Sequence, residues 1–203
     1  MTAAPARSPA ALERAWFDRP SADLALDLLG ARLVHASPDG RVGGRIVEVE
    51  AYRGPEDLAA HSSRGRTARN AVMFGLPGHL YVYLIYGLHH CLNVVAGPGT
   101  KPEAVLIRAL QLDEGIELAR IRRGESVQER RLAAGPGNVG SALGIDRRLN
   151  GVDLLVGPVR VEPRRGPPPA VSRGPRIGVD YSGDWAARPL RFWITDDPHL
   201  SRR

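Results

Sequence analysis

The chain has 203 residues and 43% apolar content, enough for one well-packed core and against disorder of the whole. A formal net charge of +6, with Lys101 the only lysine among 28 Lys and Arg, points to a polyanion such as nucleic acid or to a genome that favours arginine codons. The single cysteine, Cys91, excludes a disulfide framework; no run reaches the ~18 apolar residues of a membrane span, and no secretory leader is visible, so a soluble cytoplasmic chain is expected.

Residues 1–9 are small, polar and Pro-containing and read as a frayed tail, with the tail as a whole expected over 1–20 and one domain over 21–203. Ser21 is the expected N-cap of a helix with Leu24, Leu28 and Leu29 on one face and Gly30 as its stop. A strand over 31–36, a turn at Pro38-Asp-Gly40 and a return strand over 41–52 form a hairpin. On that second strand Val47 and Val49 point one way, Glu48, Glu50 and Tyr52 the other. Two carboxylates two residues apart, roughly 7 Å by strand rise, permit a paired-carboxylate reading; the alternative is one working carboxylate beside one that is hydrogen-bonded or solvated. Glu50 sits next to the Gly54-Pro55 turn, with His61 available from the loop, and is the preferred water-activating base.

The Gly-, Pro-, Ser- and Arg-rich loop over 53–77 carries His61, Arg64, Arg66, Arg69 and Asn70. It reads either as a surface that meets phosphate or as a solvated loop. Strands over 81–85 and 90–95 flank a short tip at Tyr86-Gly87-Leu88-His89. Tyr86 either folds back on the core or stands out to stack on or wedge between bases, and the residues alone leave both open. A loop at 97–100 and a strand over 104–110 follow. Arg108, in the apolar run of that strand, must be paired with a carboxylate or placed at a site. A helix is expected over 112–123, and the glycines of 134–145 read as backbone approaching a phosphate at a helix start, although no Walker motif is present. Short strands are expected over 151–161, a linker over 163–169 and a last strand over 189–194. The histidines show no metal-ligand spacing, so neither metal nor organic cofactor is expected, and a lone lysine in a Gly/Pro loop makes Schiff-base chemistry a poor fit.

Several of these stretches share one resemblance. Val-Glu-Ala-Tyr-Arg-Gly-Pro-Glu-Asp at 49–57, Ala-Ala-His-Ser at 59–62, Arg-Asn at 69–70, Met-Phe at 73–74, Tyr-Val-Tyr-Leu-Ile-Tyr-Gly at 81–87, Leu-Ile-Arg-Ala-Leu at 106–110 and Gly-Pro-Gly at 135–137 resemble, in order, the alkyladenine (3-methyladenine) DNA glycosylase family. The resemblance implies a monofunctional enzyme that flips an alkylated or deaminated purine (3-methyladenine, 7-methylguanine, hypoxanthine or ethenoadenine) out of double-stranded DNA and hydrolyses its N-glycosidic bond. By position it makes Glu50 the general base; Tyr52, His61 and Tyr83 the holders of the flipped base; Asn93 the residue that crowds the guanine 2-amino group; and Ile177 an aliphatic pocket wall. The resemblance likewise implies that Tyr86 fills the gap left in the duplex and that Arg108 lies near the flipped nucleotide and its phosphate, and Leu88, His89, Arg64 and Arg66 are expected among the DNA contacts. Leu88 and His89 depart from bulkier family residues, and Asn138 stands where many relatives have lysine. The expected fold is α+β, one domain with a curved, mainly antiparallel sheet and peripheral helices, acting as a monomer, at the nucleoid if bacterial. The competing classes are a non-catalytic reader of damaged nucleic acid and an acyl or formyl transferase, the latter without a visible cofactor motif.

Overall fold

Eight antiparallel strands make one open sheet in the computed structural model, which describes residues 12–97 and 101–202. The strands are β1 (Arg32–Ser37), β2 (Gly40–Tyr52), β3 (Leu80–Ile85), β4 (His89–Ala96), β5 (Glu103–Glu114), β6 (Val159–Glu162), β7 (Val171–Gly174) and β8 (Arg191–Ile194). The main path runs β3-β4-β5-β2-β1-β6, with β8 pairing both β2 and β7. The helices are α1 (Arg14–Phe17), α2 (Ser21–Leu28), α3 (Ile116–Arg123) and α4 (Pro136–Leu143), set around the sheet, so the α+β expectation holds. Among the described residues no helix is long and apolar enough to cross a membrane.

The long strand β2 organises the sheet. Its first half pairs β1 and its second half, at 48–50, pairs β8, while β5 runs along its other edge. Glu48 and Glu50 therefore sit on a strand with partners on both sides, and both are fully buried. The β2–β5 ladder slips three times, between Gly43 and Gly44, between Ile46 and Glu48 and between Glu48 and Val49; the last slip leaves Arg108 without a ladder partner, opposite Glu48. A bulge of this kind re-aims a side chain beside a site.

Four expectations need correction. Ordered packing begins before residue 21, because Phe17 is fully buried in the core and Leu12 and Trp16 pack against it; residues 1–9 lie outside the described residues, as do 98–100 of the loop expected at 97–100. Ser21 is the first helical residue rather than the cap, and its N–H and hydroxyl both donate to Glu103, each at 2.7 Å, so a carboxylate from β5 satisfies the start of α2. Residues 112–114 extend β5, because Gly115 takes a left-handed φ of 67° that ends the strand before α3 begins. Within 151–161 only β6 forms, and β7, which pairs β8, was not foreseen.

Candidate active site

Side-chain alternation puts one residue in two from four neighbouring strands on the same sheet face. Tyr81 pairs with Asn93, Asn93 with Leu106 and Leu106 with Glu50, a row across β3, β4, β5 and β2. Tyr83 faces Cys91 one step along, and Ala104 faces Tyr52 on the other side. On this face Met73, Tyr81, Val95 and Ala104 form a small apolar cluster separate from the main core. Above it opens a cavity of about 240 Å³, and its lining includes Tyr52, His61, Tyr83, Asn93, Arg108 and Ile177, with Tyr86 at the edge. The loop over 53–77 brings His61, and the segment after β7 brings Ile177.

Glu50 is fully buried behind Tyr52, Arg108 and Ile177, which line the cavity. Its Oε2 accepts from the Tyr52 hydroxyl (3.0 Å) and its Oε1 from the Ile177 N–H (2.8 Å), with Arg108 Nη1 3.2 Å from Oε1. Glu48 is held differently. Its Oε1 accepts from Arg108 Nε (3.0 Å), Arg191 Nε (2.8 Å) and the Ser201 hydroxyl (2.8 Å), and its Oε2 from the Ser201 N–H (2.6 Å). A carboxylate offers about four acceptor positions. Glu48 accepts four hydrogen bonds, three of them on Oε1, whereas Glu50 accepts two, one on each oxygen, with Arg108 beside the one on Oε1. The two carboxylates are thus not equivalent, and Arg108 joins them.

The aromatic walls are neutral. Burial, then the nearby Glu50 carboxylate, pushes the Tyr52 phenol well above its ordinary value, and burial does the same for Tyr83. Tyr81, pushed up to about 12 by burial, places its hydroxyl 2.9 Å from His61 Nδ1. The His61 ring meets Tyr83 edge to face at 4.6 Å, and burial followed by the Arg69 charge holds its pKa below the ordinary histidine range. Arg69 itself stacks over Tyr83, 5.4 Å from the ring centre. The cavity therefore presents π faces and one uncharged imidazole, a surface suited to a flat heterocycle.

Tyr86 stands out from the β3–β4 hairpin. It is 86% exposed and has a left-handed φ of 53°, followed by Gly87 at 69°, and the Leu88 N–H closes the turn on the Ile85 carbonyl. Leu88 is exposed beside it. His89 does not face the cavity but packs on α4, where a Cβ on Gly137 would lie 2.8 Å from its own. Gly140 likewise abuts the His90 carbonyl, so these glycines serve close helix–strand packing; the helix start at Pro136 nonetheless lines the cavity. Asn138 donates to the Ala134 carbonyl (2.7 Å). Arg64 and Arg66 are exposed on the loop and neither lines the cavity, though Arg64 borders an adjoining groove. Asn70, expected on a phosphate-facing surface, is instead buried and holds the loop, accepting from Thr67 and donating to the His61 and Gly65 carbonyls.

Sequence reasoning missed several contributors. Arg176 makes a fully buried bidentate pair with Asp57 (2.6 and 2.8 Å) and packs its guanidinium 4.7 Å from the Tyr52 ring centre. Tyr81 positions His61, Tyr181 is an exposed aromatic side chain on the cavity rim, and Ser201 reaches Glu48 from near the end of the chain. Only Tyr81 carried a signal, since it shares a strand face with Tyr83; the others depend on contacts far apart in sequence.

Residues 15–198 match the family model described as methylpurine-DNA glycosylase (MPG). Three relatives carry the name "Putative 3-methyladenine DNA glycosylase". That of Streptomyces avermitilis is 50% identical, covering 99% of this chain and 94% of its own. That of Methanocella arvoryzae is 48% identical over 95% of this chain and 96% of its own. That of Burkholderia lata is 47% identical over 98% and 94%.

Proposed function

The chain belongs to the methylpurine-DNA glycosylase family, and from that membership we propose how its site works and on what. As a DNA glycosylase it is a hydrolase of N-glycosyl bonds that acts on DNA in base excision repair, which sets aside the non-catalytic reader and the transferase.

In our reading a damaged purine leaves the base stack and enters the cavity between Tyr52, His61 and Tyr83, while Tyr86 occupies the space it vacates. Extrusion costs a few kcal/mol of unstacking, less at a damaged pair. A water on the free position of Glu50 Oε2 attacks C1′ of the sugar as the C1′–N9 bond breaks. The purine departs with that electron pair, and the carboxylate takes the water's proton. Positive charge building on the sugar is stabilised by the same carboxylate. Asn93, on the cavity face, donates from Nδ2 to the Tyr81 carbonyl (3.3 Å), and its bulk disfavours the 2-amino group of guanine. The substrates are alkylated or deaminated purines of the 3-methyladenine, 7-methylguanine, hypoxanthine and ethenoadenine class, for which an electron-poor ring stacks well on tyrosine. The enzyme works as a monomer, without metal or organic cofactor, where the DNA lies in the cytoplasm.

The observation that carries this reading is that Tyr52, Arg108 and Ile177, which hold Glu50, all line the cavity, whereas Arg191 and Ser201, which hold Glu48, do not. Single-turnover base release from duplexes with one defined lesion each tests it. Glu50→Gln retains lesion binding and loses about 100-fold or more in release, the range for removing a general base. Full activity in that variant overturns the mechanism.

A further inference from the structure

Arg108 has its three guanidinium nitrogens divided among three partners. Nε donates to Glu48 (3.0 Å), Nη2 donates to the Ser201 hydroxyl (3.2 Å), and Nη1 faces Glu50 (3.2 Å). The Ser201 hydroxyl in turn donates to Glu48 (2.8 Å), so Arg108, Ser201 and Glu48 close a ring of hydrogen bonds. A guanidinium is planar and rigid, so gripping two of its nitrogens fixes the direction of the third. The grip is internal: Glu48 is fully buried, Arg108 nearly so, and Arg191 supplies the second positive charge that leaves the cluster of two carboxylates and two guanidiniums neutral.

We propose that Glu48 and Ser201 are positioning residues for catalysis, holding Arg108 so that its Nη1 edge stays on Glu50 while Oε2 of that carboxylate remains open to water. This assignment gives the other glutamate of β2 a task that a carboxylate held by four donors, three of them from residues outside the cavity lining, can perform. It also ties Ser201, beyond the family match at 198, to the site although that residue does not line the cavity. The inference rests on Glu50 being the base.

The test is a double-mutant cycle read by single-turnover base release, with lesion-duplex Kd measured in parallel. Glu48→Gln slows release about tenfold or more while Kd stays within about threefold, because the residue acts on the bound state through Arg108. In an Arg108→Lys background, where the fork is gone, the further effect of Glu48→Gln shrinks to less than about twofold. Ser201→Ala, a milder change that keeps the backbone N–H, slows release by about threefold, and Ser201→Thr restores it. Equal losses from Glu48→Gln in both backgrounds, or losses in Kd that match those in rate, identify a merely structural role and overturn the proposal; unchanged release in both Glu48→Gln and Ser201→Ala does the same. A Glu50→Gln arm separates the two readings: full activity there sinks the choice of base, whereas an inactive Glu50→Gln beside a fully active Glu48→Gln sinks only the positioning role.

Discussion

At the scale of single residues, the site is a matter of how many partners each polar group already has. Glu48 accepts four hydrogen bonds and Glu50 two, although they lie two residues apart on the same strand face. His61 shows the same logic in its proton. Burial and the nearby Arg69 charge both disfavour the imidazolium, so the ring stays neutral as pH falls below the ordinary histidine range of about 6.5. A pKa lower in the folded than the unfolded state contributes stability that is present above the unfolded value and lost as pH falls through the folded one. Arg69→Gln removes one of the two causes and raises the His61 midpoint toward the ordinary value, with burial keeping it below. NMR titration of the ring protons checks this; a midpoint unmoved by the substitution means that Arg69 is too well screened to matter.

The β3–β4 hairpin shows what one element adds. Its turn places Tyr86 in the left-handed region, which costs a non-glycine residue about 1–2 kcal/mol, and leaves the ring in solvent. A large side chain held out against both backbone and hydrophobic preference is better explained by a partner than by the fold. Tyr86→Gly fits the same backbone, so thermal unfolding shifts little while capture of lesion DNA weakens more than binding to undamaged duplex. A sharp loss of stability, or equal weakening on both duplexes, makes the tyrosine structural. The alternation of β3, β4 and β5 was legible in the apolar runs. The left-handed turn was not, because tyrosine is a poor marker for it.

Across the whole molecule, distant segments are pinned to build one cavity. Asp57, in the loop after β2, accepts from Arg53 and Ala59 N–H groups and pairs with Arg176. Arg176 precedes Ile177, whose N–H reaches Glu50, and also donates to the Ala51 carbonyl (3.0 Å). The pair thus ties the loop, the end of β2 and the segment after β7 together. Asp57→Asn leaves a guanidinium buried without its charge partner and destabilises the fold by about 3–5 kcal/mol. Chemical denaturation reads that loss as a lowered midpoint; a midpoint near wild type shows that water or a rearranged side chain replaces the carboxylate.

The sequence by itself determined the strands with clear alternation, the hairpin carrying Tyr86, and the residue types of the cage, because period-two patterning and Gly-Pro punctuation are local properties. Its family resemblance reached Glu50, Tyr52, His61, Tyr83, Asn93, Arg108 and Ile177, and the fold gathers them about one cavity. Only the folded chain sets which donors reach Glu48 and which reach Glu50. That depends on a register slip in β5 that turns Arg108 between them, on Ile177 arriving from 127 residues away and on Ser201 from 153. Which donors reach a carboxylate is fixed by contacts between segments far apart in the chain, and no spacing along one strand encodes that.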